Sequence, residues 1–343
     1  MLAIALSRAD ALRGALLRGF GPWARPLLVR REVRAAWWGA ALVCVSLAAT
    51  AVVPMWLLAL GPIVWGVPHV LSDVRYLVVR AGDHRRVAVA APMVLGLVAS
   101  ALGGGLRAAV AGALVAVLFS GAPVWRRSAV ALALGVVLAL AQLGPREAAL
   151  AFAHGHNLVA LAFFAAWPAR DGGSRAPRLL PLGVVVVGGA LVMGGALDGA
   201  LTRAASIGSC HFDDLARVLA PMDVVTRLPV ASPERFASRL VLLFAFAQAA
   251  HYAVWVRLVP ELARPSSTPR SFSQSYRALT RELGRVVVVG ALLTAVGFAV
   301  WATVDVAEAR TRYLQIAFFH GYLEIAAAAL FFARGRLGEA ARA

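Results

Sequence analysis

Five of the seven histidines, His69, His154, His156, His251 and His320, lie in stretches apolar enough to cross a membrane. A polar side chain at bilayer depth is costly unless it is paired or put to use. A neutral imidazole is also a ligand for iron, copper and zinc. His69 and Asp73 stand at i, i+4, as do His320 and Glu324, so on helices each pair shares a face. A carboxylate beside a ligating imidazole accepts its second N–H and fixes the tautomer, which is the expected part of Asp73 and Glu324. Tyr252, next to His251, adds a candidate catalytic phenol, and Tyr322 lies close to His320. His154 and His156 are two residues apart, roughly 200° on an ideal helix, so only one can face a shared site unless Gly155 lets the helix unwind. Which of the two does so stays open. His84, in Asp83-His84-Arg85-Arg86 at a helix end, reads as ordinary interfacial chemistry, and His211, beside Asp213 and Asp214, is a peripheral candidate.

An all-imidazole set without thiolates, held among apolar helices, suits an oxygen-using metal and a lipophilic substrate better than hydrolytic zinc. Non-haem Fe(II) is the expected cofactor, because four imidazoles would leave positions open for O2. Copper is an alternative. So is haem, with two facing histidines as axial ligands and arginines pairing the propionates. A proton-coupled transporter using the buried histidines and carboxylates is the non-enzymatic alternative.

The elements that must position these residues are written in the composition. The chain of 343 residues is 61% hydrophobic and 15% charged, with mean hydropathy +0.77, whereas a soluble domain is about half apolar and a quarter charged. The apolar residues come in blocks of roughly 20, the length that spans ~30 Å of hydrocarbon as helix. The expected fold is all-α, a polytopic transmembrane helical bundle of about ten spans, at 35–58, 59–79, 87–105, 107–124, 128–143, 148–167, 179–198, 238–258, 286–304 and 313–333. Gly61-Pro62 is read as the break between the first two. The alternative is eight spans with two re-entrant pieces.

The net charge of +17 comes entirely from arginine among the basic residues, and the arginines cluster between apolar blocks. That is the positive-inside pattern rather than a nucleic-acid patch. Arginine-rich loops alternate with nearly uncharged or acid-balanced ones such as Arg146-Glu147 and the stretch from Asp305 to Arg312. The alternation places both termini in the cytoplasm. Absence of lysine with abundant Ala, Gly and Val suggests a GC-rich genome, and the expected location is a bacterial inner membrane, multi-pass. Residues 1–34 read as an amphipathic, arginine-rich interfacial segment and 35–343 as one transmembrane domain. Its exterior loop 199–237 is expected to cover the bundle, and its cytoplasmic loop 261–285 turns helical from Ser275. Trp37, Trp38, Trp56 and Trp65 fit an aromatic belt. Cys44 and Cys210 imply no disulfide framework.

Gly66-Val67-Pro68-His69-Val70-Leu71-Ser72-Asp73 resembles the G-x-P-H-G-x-x-D signature of the Brp/Blh-type bacterial β-carotene dioxygenases. Cys210-His211-Phe212-Asp213 is similar, more weakly, to a His-Phe segment of that family. The resemblance implies a helical membrane enzyme that cleaves a carotenoid with O2 at a histidine-bound non-haem iron, with His69 among the ligands. Val70 stands where that family has glycine, and His251 and His320 stand singly where it has His-x-x-x-His. The implied partners are a carotenoid-like molecule, O2 and the lipid bilayer.

Overall fold

The computed structural model describes residues 2–19, 21–169, 173–201 and 222–335. Helix accounts for 86% and no strand occurs among the described residues. The main helices are α1 (Leu2–Gly19), α2 (Arg31–Val52), α3 (Pro54–Asp73), α4 (Val87–Ala99), α5 (Gly105–Leu118), α6 (Val124–Leu143) and α7 (Pro145–Ala166). They are followed by α8 (Leu179–Met193), α9 (Pro233–Ala253), α10 (Phe272–Leu283), α11 (Arg285–Val304), α12 (Val306–Ala317) and α13 (Phe319–Arg334). Nine helical runs among the described residues are long and apolar enough to cross a membrane. The chain is a helical, multi-pass membrane protein.

Two boundaries differ from the sequence reading. The first two spans divide at Val53-Pro54, not at Gly61-Pro62: Val53 leaves helical geometry (φ −135°, ψ 51°) and Pro54 starts α3. Proline suits a first helical position because its missing N–H is unneeded there. Pro62 lies inside α3, where it deprives the Leu58 carbonyl of its helical donor. The buried Arg310 of α12 supplies a replacement, its Nε donating to that oxygen at 2.7 Å. The helix therefore passes through the proline intact. The last span is also longer than drawn, running from Val306 to Arg334.

The continuous run Val87–Leu118 is a hairpin. It folds at Gly103 (φ 105°) and Gly105 (φ 53°), conformations that glycine alone adopts cheaply. Its arms touch backbone to backbone: a Cβ on Gly96 would sit 2.9 Å from the Gly112 Cα. Each arm, 13 or 14 residues, is ~20 Å long at ~1.5 Å per residue, short of the ~30 Å hydrocarbon thickness. The tip of the hairpin turns toward the cavity described below.

Helices α3, α9 and the α12–α13 run form the inside of the bundle, with half or more of their spans buried, whereas α6 and α11 are 11% buried and lie at its edge. Both α3 and α9 widen into π-helical turns, at Val74–Val79 and Val254–Leu258. Such turns are frequent at functional sites. The two are tied together by Ser72, whose hydroxyl donates to the Trp255 carbonyl at 2.6 Å.

Ion pairs gather at two opposite ends of the helices. At one end Arg178 meets Glu32 (2.7 Å), Arg34 meets Glu261 (2.6 Å), and Glu282 receives Arg80 (2.7 Å) and Arg75 (2.8 Å). At the other, Arg239 meets Asp198 (2.6 Å) and Arg227 meets Glu147 (2.8 Å). Helix α1 docks on α10 through Asp10, which accepts from the Ser273 N–H (3.1 Å) and hydroxyl (2.7 Å). Most of loop 199–237, including Cys210, His211, Asp213 and Asp214, lies outside the described residues.

Candidate metal centre

Four helices each bring one imidazole into a common cluster: His69 from α3, His156 from α7, His251 from α9 and His320 from α13. The His69 ring centroid lies 4.6 Å from that of His320 and 5.4 Å from that of His251. His156 is 5.3 Å from His251 and 5.8 Å from His320. One nitrogen from each of His69, His251 and His320 falls within 4.8 Å of the others. Imidazoles sharing an ion at ~2.1 Å are closer than this, so metal binding would draw the rings inward.

The hydrogen bonds show which nitrogens are free. His320 Nδ1 faces the Ala317 carbonyl at 2.5 Å, and His156 Nδ1 faces the Ala153 carbonyl at 3.0 Å. A carbonyl only accepts, so each Nδ1 carries the proton and leaves Nε2 as a lone-pair donor, the arrangement of a metal-ligating histidine. His69 and His251 are fully buried, and no nitrogen of either makes a well-aligned hydrogen bond, although Glu324 Oε1 lies 3.4 Å from His251 Nε2. Burying so many polar atoms unpaired is expensive, and a cation is the partner this donor set fits.

His154 does not join them. Its Nδ1 faces Leu150 O (3.0 Å) and its Nε2 faces Leu240 O (3.1 Å), so the ring links α7 to the backbone of α9, with Phe244 against it. The geometry brings His156, not His154, to the edge of the cluster, its ring against those of His251 and His320. Asn157 follows His156 into the cavity, donating to Ala153 O at 3.1 Å while its Oδ1 is buried without a partner.

The carboxylates differ from the i, i+4 expectation. Glu324 approaches His251 on the neighbouring helix (3.4 Å to Nε2) rather than His320 on its own. Trp255 fixes it there, its indole N–H donating to Glu324 Oε1 at 2.7 Å. Asp73 lies 3.9 Å from His69 Nε2, beyond hydrogen-bond reach, with both oxygens buried and unpartnered. Tyr252 packs its ring 4.8 Å from that of His69. His84 lies apart from the cluster, exposed at a helix end with its Nδ1 3.3 Å from Val78 O.

Sequence reasoning missed Tyr313, Trp255, Gln248 and Arg310. Tyr313 left one signal, Gly66 in the motif. A Cβ at position 66 would lie 2.3 Å from the Tyr313 hydroxyl and ring carbon, so only glycine lets the phenol lie against α3 one turn before His69. The Tyr313 hydroxyl is itself buried and unpartnered.

A cavity of about 1320 Å³ opens onto this group, lined by His156, His251 and His320, by Tyr252, Tyr313 and Tyr322, by Phe152 and Phe244, and at its mouth by Gly103–Gly105, Asp305 and Glu308. It exceeds the ~300–1,000 Å³ of typical small-molecule sites, and its wall mixes aromatic side chains with polar ones that include Asn157, Gln248 and Arg310. Family models, curated proteins and solved structures provide no match to this chain.

Proposed function

We propose that this chain is an integral membrane metalloenzyme, a non-haem Fe(II) oxygenase acting on a lipophilic, carotenoid-like substrate. One observation carries the reading: four imidazoles from four helices gather in one buried cluster, with the nitrogens of two of them without a hydrogen bond. His69, His156, His251 and His320 would hold the ion, and Fe(II) bound there would supply the redox activation of O2. In a dioxygenase reaction each carbon of a cleaved C=C bond takes one oxygen atom of O2, giving two carbonyls with no external reductant.

The chain's own residues have separate tasks. Glu324, held by Trp255, orients His251 and balances positive charge beside it. Asp73, 3.9 Å from His69 Nε2, balances positive charge there without a hydrogen bond to the ring. Tyr252 and Tyr313 place phenols at the cavity wall, where each can donate to an oxygen that gains charge on the substrate. The aromatic walls bind an apolar substrate and exclude water. The arginine-rich end is assigned to the cytoplasm, with both termini on that side of a bacterial inner membrane.

Haem fits less well, because the rings of His69, His251 and His320 lie within 6.3 Å of one another and leave no slot for a macrocycle between any two of them. Metal analysis by mass spectrometry with an absorbance spectrum of the purified protein tests the proposal. It expects about one iron per chain and no Soret band. Absence of stoichiometric metal, with pH-dependent flux in liposomes, would favour the proton relay instead.

A further inference from the structure

The large cavity has a neighbour. A second hollow of about 410 Å³ lies between α2, α3 and α9, and Gln248 and Tyr252 are the two residues that line both. The rest of its wall is apolar, formed by Leu42, Ala49, Leu60, Val64 and Trp65 among others. Ser46 spends its hydroxyl on Leu42 O (2.9 Å), and Arg257 at the margin is paired with Glu261 (2.6 Å). No free charge in the hollow would select a headgroup. It opens on the flank of the bundle, where Val45, Val64 and Trp65 are about half exposed or more. For spanning helices, that flank is the hydrocarbon.

We propose that this groove is a lateral door through which a linear apolar molecule passes from the bilayer to the histidines, with Tyr252 and Gln248 as its constriction. The proposal rests on the reading of a lipophilic substrate and adds its route and shape. Gly61 sets the width of the constriction: a Cβ there would meet Tyr252 Cε2 at 3.3 Å and Gln248 Oε1 at 3.9 Å. Tyr252 also packs 4.8 Å from His69 and 6.0 Å from His251, ring to ring. A chain threaded through both hollows therefore passes the histidines at its waist, one arm in the groove and the other in the cavity. An elongated, slender apolar molecule satisfies this shape, and a compact one does not.

The test uses the full chain in nanodiscs, with trans-parinaric acid, a conjugated linear polyene, as the probe. Energy transfer from the protein's tryptophans should contain a saturable component. Ala49→Phe, which fills the groove from α2, should weaken that component at least tenfold while metal content stays at the wild-type level. Val64→Trp fills it from the half-exposed opposite wall, covering the case in which Ala49→Phe fails to fold. Unchanged saturable binding in both variants, or transfer that only rises linearly with probe, overturns the door. A shift from dimer to monomer in either variant also overturns it, since the groove would then be an interface between copies. If the wild type binds polyene saturably but holds no metal, the metalloenzyme reading falls and the groove stands.

Discussion

Two regions of this molecule bury polar groups in an apolar bundle, and they do so in opposite ways. In the arginine layer at one end, each carboxylate has its guanidinium: Glu32 accepts two hydrogen bonds from Arg178, and Arg34, Arg257 and Arg264 converge on Glu261. In the histidine centre, by contrast, His69, Asp73 and His251 have no hydrogen-bond partner at any side-chain nitrogen or oxygen. Both arrangements cost desolvation. The first repays it within the protein, as a structural layer does. The second leaves imidazoles and a carboxylate unsatisfied side by side, as a ligand site does. Saturation of the carboxylates, more than burial, separates the two.

The comparison breaks most sharply under paired substitutions. His69→Ala or His251→Ala should abolish metal binding, measured as metal per folded chain, whereas Arg178→Met should leave metal in the folded fraction intact. Arg178→Met should instead destabilise the fold by about 3–5 kcal/mol, because Glu32 would be left buried and unpaired; a thermal or denaturant shift checks this. If Arg178→Met emptied the site as His69→Ala does, the distinction between the regions would fail.

Glu324→Gln removes charge while keeping an acceptor for Trp255, and should weaken metal binding by roughly 10–100-fold, as losses around ligating histidines do. A competition titration against a chelator reads that change. His156→Ala and His154→Ala sharpen the picture further. The first should weaken metal binding. The second should leave it unchanged and cost about 1–2 kcal/mol of stability through a lost hydrogen bond.

The smallest expected effect is on α10. Burial alone would raise the Glu282 carboxyl, but hydrogen bonds from Arg80 and Arg75 hold it down to about 2. A depressed carboxylate contributes stability above its unfolded value of ~4.3 and loses it as pH falls through the folded value. Hydrogen exchange over Phe272–Leu283 should therefore quicken between pH ~4.3 and about 2, with the histidine-bearing helices still protected.

The helical, multi-pass character was legible because apolar blocks and arginine-rich loops are properties of local sequence. The candidate histidines were legible because imidazole is conspicuous at bilayer depth. What eluded sequence reasoning depended on which helix lies against which. The choice of His156 over His154 turns on the Leu240 carbonyl, 86 residues away in sequence. Pro62 looked like a helix end because nothing local announces that Arg310, some 250 residues on, restores the bond it removes. Glu324 looked committed to His320 by spacing, and Trp255 turned it toward His251.

The close fit of Gly66 against Tyr313 also has a historical consequence. A side chain cannot appear at position 66 while the phenol occupies that space, since its first carbon would overlap the ring. In any lineage descended from this chain, a larger residue at position 66 therefore requires that the Tyr313 ring swing into the adjoining cavity or that position 313 shrink. The two positions are tied by volume, so a larger residue at 66 should be accompanied by a moved phenol or a smaller side chain at 313.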